Sequence, residues 1–121
     1  MFRFEKLAIW HRAIEHAGDV YALTRTFPDD ERFGLTSQMR RAAVSISSNI
    51  AEGSGRPSDV EFARFIEYSY SSLMEVVSQA AVARLQQFMP VQSYDSLYQR
   101  SDEIARMLSG FRSTLLNHGN A

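Results

Sequence analysis

Apolar residues recur along this chain at alternating intervals of three and four, and that rhythm leaves few folds open. Near the C-terminus, Tyr94, Leu97, Ser101, Ile104, Leu108, Phe111 and Leu115 step by 3-4-3-4-3-4. Before them, Phe62, Ile66, Ser69, Leu73, Val76, Ala80 and Ala83 do the same, as do Leu7, Trp10, Ile14, Ala17 and Tyr21 at the start. Leu35, Met39, Ala42, Ala43, Ile46 and Ile50 form a fourth apolar face. Such spacing brings side chains back to one side of a 3.6-residue helix and is incompatible with the two-residue alternation of a strand. Four amphipathic helices with short connections predict an all-α fold, an antiparallel up-down-up-down four-helix bundle. An α-solenoid is the alternative; the four segments share no common period, which argues against it.

Punctuation sets the boundaries. The first helix is expected over residues 4–26, with Ile9, Ala13 and Val20 widening its face, and Phe27-Pro28 ends it. Residues 28–33 (PDDERF) form a polar connection broken at Gly34. The second helix starts at Thr36, a good N-cap, and stops at Gly53, a favoured C-terminal glycine. Ser58 and Glu61 make a capping box for the third helix, which runs to about Phe88. Met89-Pro90 then interrupts, and the fourth helix begins at Val91 or Ser93 and runs to Asn117, with the last few residues frayed. The third helix also carries Val60, Phe65, Tyr68, Tyr70, Val77 and Leu85, a wider apolar surface than one bundle needs.

At 121 residues the chain fits one domain, residues 1–121, able to bury a core without metals or disulfides. It has no cysteine, which removes thiolate ligands and cysteine nucleophiles together. No apolar run approaches a signal peptide or a membrane span, so a cytoplasmic protein with no membrane partner is expected. The net charge of −1 lacks the basic balance of many nucleic-acid binders. Any such binding has to come from local clustering or from an oligomer that concentrates a basic face.

No catalytic constellation stands out, so no enzyme, cofactor, metal or small-molecule substrate is expected. His11 and His16 are five residues apart and diverge on a helix, unlike an i, i+4 metal pair; they and His118 are expected on surfaces or helix flanks. Glu52, Glu67 and Glu75 lack the Glu-x-x-His partners of a bundle di-metal site. Ser45, Ser47 and Ser48 lie mid-helix without a nucleophile elbow. The turn Gly53-Ser54-Gly55-Arg56 lacks the Walker ending and reads as an interhelical connection, although it precedes a helix N-terminus where an anion can be held.

The second helix carries the more informative pattern. Gln38, Arg41, Ser45, Asn49 and Glu52 form a polar stripe within about 80° on a helical wheel, beside the apolar face. It reads first as a solvated face or a hydrogen-bonded layer between helices, and second as a ligand or subunit contact. Glu52 sits where the helix dipole disfavours a carboxylate, and Arg56 is its nearest compensating partner. Arg40, Val44 and Ala51 share another flank, suited to a neighbouring subunit. Twelve of the thirteen basic residues are arginine, the better residue for interface contacts. Residues 35–56 carry a local charge of +2, against −2 for residues 28–34 and −2 for residues 57–89.

The series Phe27-Pro28, Glu31, Gly34-Leu35, Gln38, Arg40-Arg41-Ala42, Ser45-Ile46, Asn49-Ile50-Ala51-Glu52-Gly53 and Arg56 resembles the bacterial four-helix-bundle proteins encoded by intervening sequences of large-subunit ribosomal RNA genes. Phe62, Phe65, Tyr68 and Glu75 extend the match, which covers roughly residues 4–116. The resemblance implies a left-handed antiparallel bundle and a ring-shaped homo-oligomer, with a pentamer favoured. It brings no enzymatic activity or cofactor. A branch similar in fold, the accessory variability determinant of diversity-generating retroelements, binds nucleic acid and a reverse transcriptase through a basic surface. The expectation is therefore a non-enzymatic oligomeric scaffold that contacts RNA or a ribonucleoprotein through Arg40, Arg41, Arg56 and Arg64. Gln38, Ser45, Asn49 and Glu52 are the expected subunit-contact or polar-stripe residues. The alternative is a protein–protein docking module that binds no nucleic acid.

Overall fold

Four long helices are what the periodicity demands, and the computed structural model, which describes residues 1–119, contains them: α1 (Ala8–Thr24), α2 (Leu35–Ser54), α3 (Asp59–Leu85) and α4 (Val91–Gly119). Short 3-10 turns at Arg3–Lys6 and Asp29–Glu31 precede α1 and α2. Each helix packs against its neighbours in sequence and α4 closes on α1, while α1 with α3 and α2 with α4 do not pack. That cyclic pattern, with short connections, is the up-down-up-down bundle. No helix among the described residues is long and apolar enough to cross a membrane. The expected fraying of residues 120–121 lies outside the described residues.

The seams of α3 and α4 are the expected ones. Phe62, Ile66, Ser69, Leu73, Val76, Ala80 and Ala83 are all buried, as are Leu97, Ser101, Ile104, Leu108 and Leu115. The two serines in these seams have partners across the bundle. Ser69 donates to the Ile46 carbonyl of α2 at 2.9 Å, and Ser101 meets His16 of α1 at 2.9 Å. A buried hydroxyl without such a partner is destabilising by roughly 1–3 kcal/mol, so each serine fixes which residue faces it.

α1 departs from expectation. Its buried stripe is Ile9, Ala13, His16, Val20 and Thr24, whereas Ile14 is 44% and Tyr21 37% exposed. The seam through Ile14 and Tyr21 is the more hydrophobic of the two; the one that is buried contains two polar residues, each with a hydrogen bond inside the bundle. Thr24 donates to the Val20 carbonyl at 2.7 Å, and His16 finds Ser101. His16 is therefore no flank histidine. The first helix is also not continuous from residue 4, since Leu7 is extended between the first 3-10 turn and α1.

Three boundaries move for local reasons. Gly34, not Thr36, is the N-cap of α2, and Thr36 is buried in its first turn. Gly53 does not stop α2; it lies inside the helix, buried against α3, and Gly55 is the C-cap. α3 ends at Leu85 rather than near Phe88, because Gln87 takes a left-handed conformation with φ 64°. Phe88 N–H then reaches the Ala83 carbonyl and Gln87 N–H that of Arg84, the Schellman pattern. Half of the Ser58–Glu61 capping box is as read: the Ser58 hydroxyl accepts from the Glu61 N–H at 3.2 Å, while the Glu61 carboxylate accepts from that same hydroxyl at 3.2 Å.

Candidate nucleic-acid interface

The α1–α2 connection doubles the chain back on itself, so residues near the end of α1 lie beside the start of α2. Arg40 marks the join. Its Nε donates to Thr24 Oγ1 at 2.8 Å, and its guanidinium stands 4.7 Å from the centre of the Tyr21 ring. One hydrogen bond and one cation–π contact hold the arginine plane in place. Arg41, the next residue, is exposed on the same outer side. In the turn before α2, the Arg32 guanidinium lies 5.4 Å from the ring of Phe33, which is 89% exposed.

These side chains border a groove of about 780 Å³ whose lining includes Tyr21, Arg32, Phe33, Arg40, Arg41 and Val44 and no carboxylate. A second groove of about 330 Å³ shares Arg32, Thr36 and Arg40 and adds Arg25 and Asp29. Elsewhere five arginines are neutralised: Arg12 pairs with Glu103, Arg100 with Asp19, Arg112 with Glu67, Arg106 with Asp102 and Arg56 with Glu52. Among the described residues, no carboxylate lies within ion-pair distance of Arg25, Arg32, Arg40 or Arg41. A chain of net charge −1 thus keeps these four guanidiniums unpaired at one edge. Unpaired arginine beside aromatic rings is chemistry for phosphate and planar ligands.

The residues expected from the sequence separate along the bundle. Arg40 and Arg41 line the groove, and so does Ser45. Ser45, half-buried, meets the hydroxyl of Ser72 on α3 at 2.9 Å, and Asn49 donates to the Ser45 carbonyl at 2.9 Å and hydroxyl at 3.0 Å. Ser45 thus ties α2 to α3, while Asn49 bonds back within α2. Glu52 accepts from Arg56 at 3.0 Å, as its place at the helix end requires, and the Arg56 guanidinium also caps the Phe65 ring at 4.6 Å. Arg56 and the exposed Arg64 lie near the α2–α3 turn, roughly 20 Å along the bundle from Arg41 at 1.5 Å per residue. Gln38 is exposed in the first turns of α2.

Arg25, Arg32, Tyr21 and Phe33 are not found by reading the residues alone. The hydrophobic seam of α1 puts Tyr21 in the core, and the two arginines sit in segments whose charge, averaged along the chain, is not basic. The available signal is the turn at Pro28: antiparallel return puts residues on either side of it next to each other.

A second polar cluster lies between α1 and α4. His16 is 1% exposed, and its Nδ1 has no hydrogen-bond partner. The tautomer that leaves this bare nitrogen unprotonated puts the N–H on Nε2, donating to Ser101 Oγ. Burial lowers the His16 pKa to about 4; Asp19 opposes the shift and Arg100 adds to it. The ion pairs Arg12–Glu103 and Arg100–Asp19 close over this site. Among the described residues, no group of three or more His, Cys, Asp or Glu is placed to hold a metal.

The family model described as "23S rRNA-intervening sequence protein" matches residues 5–110. A crystal structure of a protein of unknown function from the S23 ribosomal protein family of Bacteroides thetaiotaomicron VPI-5482 superimposes with a TM-score of 0.80 at 19% identity. The match covers 87% of this chain and 98% of that one, and at this identity it speaks to the fold. Comparison with curated protein sequences gives no match.

Proposed function

This chain belongs to the 23S rRNA-intervening sequence protein family, and we propose that it is a non-enzymatic, homo-oligomeric cytoplasmic scaffold that contacts RNA or a ribonucleoprotein through the arginines of the α1–α2 edge. The observation that carries this reading is the groove bordered by Arg32, Arg40 and Arg41 without a carboxylate. Phosphate is the ligand that unpaired guanidiniums take best, through charge-assisted and bidentate hydrogen bonds. Arg25 extends the surface. Arg56, engaged by Glu52 and Phe65, is a weaker contributor than Arg40 or Arg41, and Arg64 acts from a separate place.

Self-association is supported by α3. Its outer face exposes Val60, Tyr68, Met74, Val82 and Leu85, with small residues Ser71, Ser78 and Ala81 among them. Arg64, Glu67 and Glu75 are exposed among them, and such a mixed face of apolar, small and charged side chains suits contact with a protein partner. A ring, with five subunits favoured, repeats the arginine edge around its circumference and raises its valency for a polyanion. Light scattering at micromolar concentration is expected to give a multiple of the chain mass, and a clean monomer overturns the ring.

For RNA, a filter-binding titration of the assembled protein is expected to show affinity at low salt that falls as salt rises. Arg41→Ala weakens binding about tenfold and lowers the slope of log K against log salt by roughly 0.7–0.9. Arg106→Ala, on a residue already paired with Asp102, changes neither. No affinity at low salt overturns the RNA reading. It leaves the docking-module reading, which the α3 face and the near-neutral charge favour.

A further inference from the structure

We infer that the Arg32–Arg40–Arg41 groove takes unpaired, single-stranded nucleotides, with a base stacked on Phe33 and the backbone phosphates on the arginines. The inference rests on the RNA reading above and narrows it to one form of RNA.

Phe33 is the reason. A phenylalanine 89% exposed gives up burial that the core offers to its neighbours, and the Arg32 guanidinium, 5.4 Å from its centre, leaves most of the ring open. It is not carried on a long loose segment. It stands in a three-residue turn between the second 3-10 turn and α2. That turn is closed by the Gly34 N–H bonding the Glu31 carbonyl at 3.0 Å and fixed to α2 by the Gln38 N–H on the Gly34 carbonyl at 3.0 Å. An exposed ring on a short, hydrogen-bonded support is a stacking platform. Sequence-tolerant recognition of single strands combines such rings with a positive groove along the backbone.

The arginines are placed to supply the rest. Arg40 is held by Thr24 and Tyr21 through Nε and its face, which leaves its terminal nitrogens for a phosphate. Arg32 lies over the same ring that would take the base, so its plane can extend the stack. In a duplex the bases already stack on one another and are closed to Phe33, leaving only backbone contacts. Asp29, Asp30 and Glu31 stand in the turn just before Arg32, and a duplex, with its higher density of phosphates, is repelled by them more than a single strand is.

The test is fluorescence anisotropy of the full chain with a labelled mixed-sequence oligoribonucleotide, single-stranded and annealed to its complement. The single strand is expected to bind about tenfold more tightly or better. Phe33→Ala should weaken single-strand binding about tenfold without changing the salt slope, since the ring carries no charge, and Phe33→Trp should retain it. The position is exposed, so both variants fold. Equal binding of the two forms, or a Phe33→Ala variant with unaltered affinity, overturns the inference while the RNA reading stands. No binding of either form at low salt overturns both.

Discussion

Gly53→Ala is expected to destabilise the protein by about 2–3 kcal/mol, although alanine in a helix interior ordinarily stabilises by roughly 0.5–1 kcal/mol over glycine. The sign reverses because α2 and α3 touch there. A Cβ at position 53 would stand 2.6 Å from Phe65 Cβ and 2.8 Å from Phe62 Cδ1. Phe62 is fully buried against Phe111 and cannot turn away, and Phe65 Cβ is fixed to the α3 backbone. The helices must therefore separate, loosening the Ser45–Ser72 and Ser69–Ile46 hydrogen bonds between them. Gly18→Ala is the matched control. Gly18 lies exposed within α1, a Cβ added there would meet nothing within 4 Å, and a gain of roughly 0.5–1 kcal/mol is expected. Urea unfolding of both variants checks the pair; a stabilised Gly53→Ala would mean the close approach is absent in solution.

Acid is the second large effect. His16 is expected to make stability fall by about 3 kcal/mol as pH drops from 6.5 to 4, a pKa difference of some 2.5 units at 1.36 kcal/mol each. The sign follows from linkage. Above 6.5 both folded and unfolded forms hold a neutral imidazole, and the residue contributes no pH dependence. Between 6.5 and about 4 the unfolded chain takes up a proton that the buried ring refuses, so unfolding is favoured progressively; below that the loss is complete. Arg12, Glu15 and Asp19 on α1 and Arg100 and Glu103 on α4 surround the site. Their own titration is common to wild type and to His16→Gln, in which a neutral amide can still bond Ser101. Urea unfolding from pH 7 to 4 should therefore show the wild type losing about 3 kcal/mol more than His16→Gln. Parallel profiles would place the proton uptake elsewhere.

These two positions also show why some features are readable from residues and others are not. The seams of α3 and α4 are readable because each is continuous, apolar and long. The expected seam of α1 holds at Leu7, Trp10 and Ala17, which pack partly buried against the core, and fails at Ile14 and Tyr21, because His16 and Thr24 look like surface residues until Ser101, Val20 and Arg40 are beside them. Gly53 reads from the residues as a helix stop, and only α3 packed against it makes it a contact point inside the helix. The segment from Asn49 to Gly53 then acquires structural roles: Asn49 bonds Ser45 one turn back in α2, Ile50 is core, Glu52 holds Arg56, and Gly53 allows the approach.

From the residues alone come the helix count, their order, the bundle and the family resemblance, because these depend on local periodicity and on motifs contiguous in the chain. Arg40 and Arg41 are found that way too. The groove they belong to is decided by the tertiary structure, since it needs Tyr21, Arg25, Arg32 and Phe33 brought across the Pro28 turn. Which arginines remain unpaired is decided there as well, because ion pairs such as Arg12–Glu103 and Arg100–Asp19 join residues far apart in sequence. Charge summed along the chain averages over pairs that only packing creates, and so it does not show that Arg25, Arg32, Arg40 and Arg41 are left without an ion-pair partner on a nearly neutral protein.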